Sequence, residues 1–147
     1  MLKIATGASR KAKKWKNIEI SWSDLCAKLA ETYRTRETMA EYAKLKKPNQ
    51  DEIKDVGGFV GGWLAQGQRK SDTVLCRTVL TLDVDNALPS FWEDLTLLND
   101  YACCIYSTHK HKPEAWRVRL IIPLAREVSA EEYEAIARWV AKELGIN

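Results

Sequence analysis

The sequence lacks any apolar run that approaches the roughly 18–20 residues of a membrane-spanning helix. It also lacks the apolar core of a signal peptide, because no such segment follows Lys3. Cysteine is sparse, and the four cysteines form neither a Cys-x-x-Cys pair nor a plausible disulfide framework. The adjacent Cys103 and Cys104 lie in an apolar run, which is typical of thiols in a reducing compartment. These absences argue against a secreted or membrane-spanning protein and predict a cytoplasmic one.

The positive charge of the chain is concentrated at its amino terminus. The 147 residues, 46% of them apolar, are enough for one compact domain with a hydrophobic core. The formal net charge is only +3, but residues 1–16 carry six basic residues and no acidic one. We therefore expect Lys11, Lys13 and Lys14 to contact nucleic-acid phosphates in a salt-sensitive, sequence-independent way. The alternative, that this segment only improves solubility, stays open at this point.

The first half of the chain predicts a smaller α/β module over residues 1–70. A strand is expected over residues 2–5, followed by helices over 22–31 and 36–46 and a short helix from about Gln50. Five of the seven glycines then fall between Gly57 and Gly67. No Gly-Lys-Ser/Thr follows them, so a phosphate-binding loop of that type is excluded. The glycines are interpreted as a turn-rich hairpin rather than as a ligand cradle.

The hydrophobic pattern of the second half predicts alternating strands and helices. Strands are expected over residues 77–85, 101–107 and 116–122, a helix over 89–98, and a second helix that Ser129 caps and Gly145 ends. The resulting order, β-α-β-β-α, is that of a ferredoxin-like or RNA-recognition-motif-like (RRM-like) unit without its last strand. The predicted fold class is therefore α+β, with this incomplete unit over residues 71–147.

Alternation along the predicted strands sorts their side chains onto two faces. In strand 77–85 the apolar residues share one face, while Asp83 and Asp85 lie side by side on the other. In strand 116–122, Arg117 and Arg119 oppose the apolar face. Because both helices of a ferredoxin-like unit cover one side of its sheet, we expect the other side to be open. The residues expected together on this open face are Asp83, Asp85, Ser107, His109, Arg117 and Arg119.

Two carboxylates at positions i and i+2 of a strand suit a hard divalent cation. Mg²⁺ or Mn²⁺ is bound by oxygen ligands together with the phosphates of a substrate, so Asp83 and Asp85 are candidate metal ligands. Arg117 and Arg119 would bind phosphate oxygens in bidentate fashion, and His109 would donate a hydrogen bond to a triphosphate. A solvated acidic turn is the competing interpretation of the aspartates alone. The arginines and the histidine on the same face favour the metal site.

The sequence His109-Lys110-His111 admits other interpretations. Two histidines at this spacing suit zinc, but no third or fourth ligand lies at a useful spacing. A relaxase-type nuclease places its two histidines around an apolar residue, whereas Lys110 is charged, and no tyrosine nucleophile is clearly placed. A solvated turn would suit His111, whose role stays open. His109 is the histidine that we expect to contact a substrate.

The segments that carry these residues resemble the archaeo-eukaryotic primase superfamily, in particular the primase-polymerase domains of phage, plasmid and virulence-associated-E-like replication proteins. The similar segments are GGFVGGWLAQGQRKSDTVLCRTVL (57–80), LTLDVDNA (80–87) and YSTHKHKPEAWRVRLIIPLAR (106–126). The resemblance implies that Asp83 and Asp85 bind the catalytic metals as an Asp-x-Asp motif. It also implies that Ser107 and His109 form a Ser-x-His motif, whose histidine contacts the phosphates of the incoming nucleotide.

The third motif of that superfamily is missing from this chain. In the superfamily it is an acidic residue on a later strand, and here the sequence stops just after the last predicted helix. In ferredoxin-like topology that strand would pair beside the first one, so strand 77–85 is expected to be an exposed edge. The chain is therefore expected to be the front part of a primase-polymerase: a truncated product, a fragment, or a subunit that another polypeptide completes. A helicase domain is an expected partner.

The resemblance thus implies a nucleotidyltransferase that acts in the DNA replication of a phage, plasmid or mobile element. Its partners would be a single-stranded DNA template and nucleoside triphosphates, and its cofactor Mg²⁺ or Mn²⁺. Two alternatives remain at this stage. One is an RRM-like module that binds nucleic acid without catalysis, although its sheet face would offer few aromatic side chains for stacking. The other is a metal-dependent nuclease that uses the same aspartates.

Overall fold

The computed structural model describes residues 1–146 as two antiparallel sheets and five helices, which confirms the α+β class. The first sheet contains β1 (Leu2–Gly7), β2 (Lys16–Ile20) and β3 (Gly58–Val60). The second contains β4 (Gly62–Leu64), β5 (Val74–Ala87), β6 (Cys104–Ser107) and β7 (Trp116–Val128). The helices are α1 (Trp22–Ala30), α2 (Met39–Lys44), α3 (Lys47–Ile53), α4 (Phe91–Leu98) and α5 (Ala130–Glu143). Within the described range, none of them has the length and hydropathy needed to cross a membrane.

The second sheet has the strand order β4-β5-β7-β6. β5, β6 and β7 thus occupy the positions of the first, second and third strands of a ferredoxin-like sheet. β7 is antiparallel to both of its neighbours. Helices α4 and α5 contribute to a core on one face of this sheet, whose buried members are Leu80, Val84, Leu95, Val118, Leu120, Ile122 and Val140.

Over residues 74–81 the edge of β5 is not free, contrary to the expectation from the sequence. β4 pairs with its first part, where Gly62 lies opposite Arg77. The Gly61 carbonyl then accepts hydrogen bonds from the backbone N–H groups of Thr78 and Val79. Further along, the Tyr133 hydroxyl of α5 accepts the N–H of Thr81 at 3.3 Å. The upstream glycine-rich segment and α5 therefore satisfy much of the edge that a later strand was expected to cover.

The expected glycine-rich hairpin is wrong, because the two short strands β3 and β4 belong to different sheets. β3 pairs with β1, whereas β4 pairs with β5. A Cβ atom on Gly61 would overlap the carbonyl oxygen of Val79, and one on Gly62 would overlap that of Cys76. Glycine is needed at this crossing because the two backbones approach too closely for any side chain.

The N-terminal sheet covers part of the face that was expected to be open. Leu2, Ile4 and Leu25 pack against Val79 of β5 and Ile121 of β7 in one buried cluster. Strand β2, which completes this N-terminal sheet, was not expected from the sequence. Its alternation contains only two isoleucines, which is too short a pattern to identify a strand. The uncovered part of the large sheet therefore begins beyond Val79 and Ile121.

The ends of α1 and α5 lie close to where the capping residues in the sequence predicted them. The Ser21 hydroxyl accepts the N–H of Asp24 at the start of α1, and Ser129 with Glu132 forms a capping box at the start of α5. Gly145, with φ of 64°, follows the end of α5 as expected. α2 begins later than expected, because Thr38 and not an earlier residue caps it.

Candidate nucleotide and phosphate site

The register between β5 and β7 brings the two predicted aspartates directly opposite the two predicted arginines. Asp83 lies opposite Arg119, and Asp85 lies opposite Arg117. The Arg119 Nε donates to Asp83 Oδ1 at 2.6 Å, and Arg117 Nη1 lies 3.6 Å from Asp85 Oδ2. All four side chains remain at least one third exposed to solvent. We call these four residues the acid–arginine ladder.

Tyr106 of β6 belongs to the same face, although the sequence analysis did not select it. It lies opposite Arg119 in the register, and its hydroxyl accepts a hydrogen bond from Arg119 Nη1 at 3.2 Å. Partial burial alone would lower the pKa of Arg119. The hydrogen bond and charge of Asp83, together with the Tyr106 hydroxyl, outweigh this effect and raise the pKa. Arg119 is therefore held from two sides, by Asp83 and by Tyr106.

Ser107 lies on the opposite face of the sheet from the ladder, so its expected grouping with the aspartates is wrong. Its partner in the register is Val118, which is buried in the core on the helix side. Paired residues on neighbouring strands project to the same face, and Ser107 therefore projects to the helix side while Tyr106 projects to the ladder. From the sequence, Ser107 was expected on the ladder face of β6. The alternation of residues 101–107 does not indicate which face is buried, so the sequence alone could not decide this.

The structure places both histidines in the turn between β6 and β7. The His109 ring packs against the buried ring of Tyr42, with 4.5 Å between centroids at an angle of 59°. The His111 Nδ1 accepts the backbone N–H of Arg117 at 3.3 Å, and its ring lies 5.5 Å from that of Trp116. His111 thus fixes the backbone of a ladder residue, while His109 is oriented by α2.

A cleft of about 480 Å³ lies on one side of the ladder. It contains four cationic side chains against a single carboxylate, that of Asp83. We call it the Arg77 cleft; its lining includes Arg69, Lys70, Ser71, Arg77, Thr81, Asp83, Arg119 and Tyr133. Arg69, Lys70 and Arg77 were not among the residues predicted from the sequence. The available signal was the basic character of residues 69–77, between the glycine-rich segment and Asp83.

A second cleft of about 360 Å³ lies at the other end of the ladder. It contains three cationic side chains and no carboxylate, and Arg117 is its ladder residue. We call it the Lys110 cleft; its lining includes Met39, Tyr42, Gln50, Asn86, Lys110, Lys112 and Arg117. The ladder therefore joins two basic clefts, with Arg119 in one and Arg117 in the other.

The donor set for a divalent cation consists of the carboxylates of Asp83 and Asp85. Over residues 1–146, no group of three His, Cys, Asp or Glu residues is arranged to hold a metal ion. Two carboxylates fit Mg²⁺ or Mn²⁺ when phosphate oxygens and water supply the other ligands, which is the usual arrangement for Mg²⁺. The residues therefore fit a cation that arrives with a phosphate-bearing substrate, provided that each arginine releases its aspartate.

The three lysines of the basic segment are exposed on the loop between β1 and β2. Lys11 Nζ lies 3.4 Å from Glu52 of α3. The loop ends at Trp15, whose backbone N–H donates to the Gly67 carbonyl at 2.8 Å. The Trp15 ring also lies below the guanidinium of Arg69, at 5.1 Å. Lys13 and Lys14 therefore directly precede a residue that contacts the rim of the Arg77 cleft.

A model of the family described as "VapE N-terminal domain" matches residues 1–147, which is the whole sequence. No curated protein and no solved structure matches the chain. The family match agrees with the resemblance to virulence-associated-E-like replication proteins, and it indicates a replication-associated protein of mobile elements. The chain belongs to the VapE N-terminal domain family.

Proposed function

We propose that this domain is a primase-polymerase-type nucleotidyltransferase. It would join nucleoside triphosphates to a 3′-hydroxyl on a single-stranded DNA template during replication of a phage, plasmid or mobile element. The observation that carries the proposal is the acid–arginine ladder with a basic cleft at each end. This arrangement offers carboxylates for a phosphate-bound cation and guanidinium groups for the phosphates themselves.

The reaction requires a 3′-oxygen to attack the α-phosphorus of a triphosphate. The new bond to the α-phosphorus forms as the bond to the β-phosphate oxygen breaks, so pyrophosphate leaves and the hydroxyl proton passes to solvent. A Mg²⁺ or Mn²⁺ ion, when bound, would activate the hydroxyl and stabilise the leaving oxygen. Asp83 and Asp85 are the residues that would hold it.

The arginines of the ladder have a second role in this proposal. Each guanidinium balances a carboxylate in the structure, and a triphosphate offers several oxygens in the bidentate geometry that arginine prefers. When a triphosphate enters, Arg117 and Arg119 would turn from carboxylate to phosphate. The aspartates would then be available as ligands. The exposure of the four side chains allows this exchange without unfolding the sheet.

His109 would donate a hydrogen bond to the triphosphate as negative charge develops on its leaving oxygen. Its packing against Tyr42 limits the orientations of the imidazole ring. The neighbouring Lys110 and Arg117 line the Lys110 cleft, so we assign the triphosphate to that cleft. His111 has a structural role in this scheme, because its Nδ1 is already engaged by the Arg117 backbone.

The test is incorporation of labelled nucleotide into primed and unprimed single-stranded DNA in the presence of Mn²⁺. Asp83→Asn and Asp85→Asn preserve the shape of each side chain and should abolish incorporation. Asp100→Asn, at an exposed residue of the loop after α4, is the matched control and should retain it. Failure of the wild-type chain to incorporate nucleotide, or activity that survives both substitutions, would overturn the proposal.

One observation favours a second function, that of a nucleic-acid-binding module without catalysis. Both candidate metal ligands have an arginine partner, and the described residues place no third acidic ligand beside them. Such a module would bind single strands equally well after Asp83→Asn and Asp85→Asn, and it would lengthen no primer. Shortened oligonucleotides in the same assay would instead indicate a nuclease.

A further inference from the structure

We propose that the Arg77 cleft, together with the loop that carries Lys13 and Lys14, holds the phosphate backbone of a single nucleic-acid strand. The binding residues would be Arg69, Lys70 and Arg77, to which the sequence analysis gave no role. The inference rests on the proposed function for the identity of the strand, a template or primer, but not for the binding itself.

The charge of the cleft is the first argument. Its four cationic side chains face one carboxylate, and that carboxylate, of Asp83, is already paired with Arg119. The remaining positive charge of Arg69, Lys70 and Arg77 has no acidic partner among the residues that line the cleft. The hydroxyl groups of Ser71 and Thr81 add neutral hydrogen-bonding groups to the lining. This composition suits an anion with several phosphate oxygens.

The extent of the basic surface is the second argument. The backbone N–H of Trp15 donates to the Gly67 carbonyl, and the Arg69 guanidinium lies over the Trp15 ring, so the lysine loop continues into the rim of the cleft. A free triphosphate would occupy only the cleft and would not reach the lysine loop. A surface that runs from Lys13 through Arg69 to Arg77 instead matches successive phosphates of a strand.

The backbone between β4 and β5 is shaped to keep Arg69 in this position. Gln66 and Gly67 both have positive φ, 53° and 66°, and they turn the chain towards the lysine loop. A Cβ atom at Gly67 would lie only 2.6 Å from the Trp15 carbonyl oxygen, so glycine permits the contact. Arg77 is held separately, with its guanidinium 4.6 Å from the ring centroid of Tyr133.

The arrangement gives the two clefts different ligands. The Lys110 cleft, beside His109, would receive the triphosphate, and the Arg77 cleft would receive the strand whose 3′-hydroxyl attacks it. The ladder lies between the two, where both ligands would meet. Substitutions in one cleft should therefore weaken strand binding, and substitutions in the other should weaken nucleotide binding.

The experiment measures the affinity of the full chain for a fluorescent oligothymidylate by anisotropy, over a range of salt from about 50 to 200 mM. The double variant Arg69→Gln/Lys70→Gln changes two exposed side chains and should leave the fold intact. We expect roughly 100-fold weaker binding at low salt, because each of the two lost charge-assisted contacts corresponds to about tenfold in affinity. The slope of log K against log salt should also become shallower by about 1.4, since each single-strand phosphate contact contributes about 0.7.

Two matched controls remove the same charge elsewhere. Lys110→Gln/Lys112→Gln changes the other cleft, and Arg138→Gln/Lys142→Gln changes exposed residues of α5. Both should retain most of the strand affinity and the wild-type salt slope. The Lys110→Gln/Lys112→Gln variant should instead raise the KM for nucleotide in the incorporation assay.

The proposal is overturned if Arg69→Gln/Lys70→Gln binds the strand as tightly as the α5 control. It is also overturned if that variant raises the KM for nucleotide and leaves strand binding unchanged, because the cleft would then hold the triphosphate. Strand binding that depends on Arg69 and Lys70 in a chain without incorporation activity would support this site while refuting the proposed function. Nucleotide incorporation by the wild-type chain, together with strand binding that Arg69→Gln/Lys70→Gln leaves unaltered, would support the proposed function and refute this site.

Discussion

Arg119 of β7 donates a hydrogen bond to Asp83 of β5 directly across the strand pair, with 2.6 Å between Nε and Oδ1. The carboxylate proposed to hold a metal ion is thus neutralised by the guanidinium proposed to hold phosphate. Neither side chain is buried enough to make this pair a permanent structural feature. We interpret the pair as two halves of the proposed binding site, which balance each other's charge until a ligand enters.

The strength of this pair can be measured by a double-mutant cycle with Asp83→Ala and Arg119→Ala. We expect a coupling energy of at most about 1 kcal/mol in urea unfolding, because solvent screens an exposed pair. Arg119→Ala alone should be the more destabilising single change, since it also removes the hydrogen bond to Tyr106. A coupling of several kcal/mol would mean that the pair is structural and does not open for a ligand.

The crossing between the two sheets predicts a sharp difference between two glycines. Gly62→Ala should lower the free energy of unfolding by about 1–3 kcal/mol, because the new Cβ overlaps the Cys76 carbonyl and separates β4 from β5. Gly58→Ala is the control, since nothing lies within 4 Å of its Cβ position. That change should alter stability by no more than about 0.5 kcal/mol. Equal unfolding midpoints for the two variants would contradict the described pairing of β4 with β5.

The junction between β1 and β5 depends on the Thr78 hydroxyl, which is 4% exposed. It accepts the N–H of Lys3 at 2.9 Å and donates to the Lys3 carbonyl at 2.7 Å. Thr78→Val keeps the shape but leaves both backbone groups without this partner, so we expect a loss of about 1–3 kcal/mol. Thr96→Val, at an exposed hydroxyl of α4, should lose much less in the same denaturation experiment. Similar losses would show that Lys3 finds other partners.

The start of α5 predicts a specific dependence of stability on pH. A hydrogen bond from Arg126 and the N–H of Ser129 lower the pKa of Glu132 from 4.5 to about 2. Because the folded-state pKa is the lower one, the stabilisation is complete above pH 4.5 and is lost as the pH falls towards 2. Glu132→Gln should therefore lower the Tm at neutral pH, and its difference from wild type should shrink through this range.

Glu134→Gln provides the control for that titration. Its carboxylate pairs with Arg138, one turn along the exposed face of α5, and lies outside the capping box. Thermal unfolding followed by circular dichroism between pH 2 and 7 should show little difference from wild type at any pH. If Glu132→Gln behaves in the same way, the capping box and the Arg126 pair do not stabilise the folded chain.

Sequence reasoning correctly placed the four ladder residues on one face, without their cross-strand pairs, because strand alternation is a local property. Once β5 and β7 are strands, a period of two residues places Asp83 and Asp85 on one face and fixes the face of Arg117 and Arg119. The caps at Ser21 and Ser129 were also readable, since each involves residues three positions apart. The sequence thus determined the α+β class, most of the strands and helices, and which charged residues share the ladder.

Only the tertiary structure decided what surrounds that ladder. The phase of β6 depends on its register with β7, so Tyr106 rather than Ser107 joins the site. The chain's own β4 satisfies part of the β5 edge, and the Arg77 cleft gathers charges from segments that are distant in sequence. These outcomes follow from long-range burial: the segment that covers a given edge or face is the one that removes most apolar surface from water there. A local pattern contains no information about that competition.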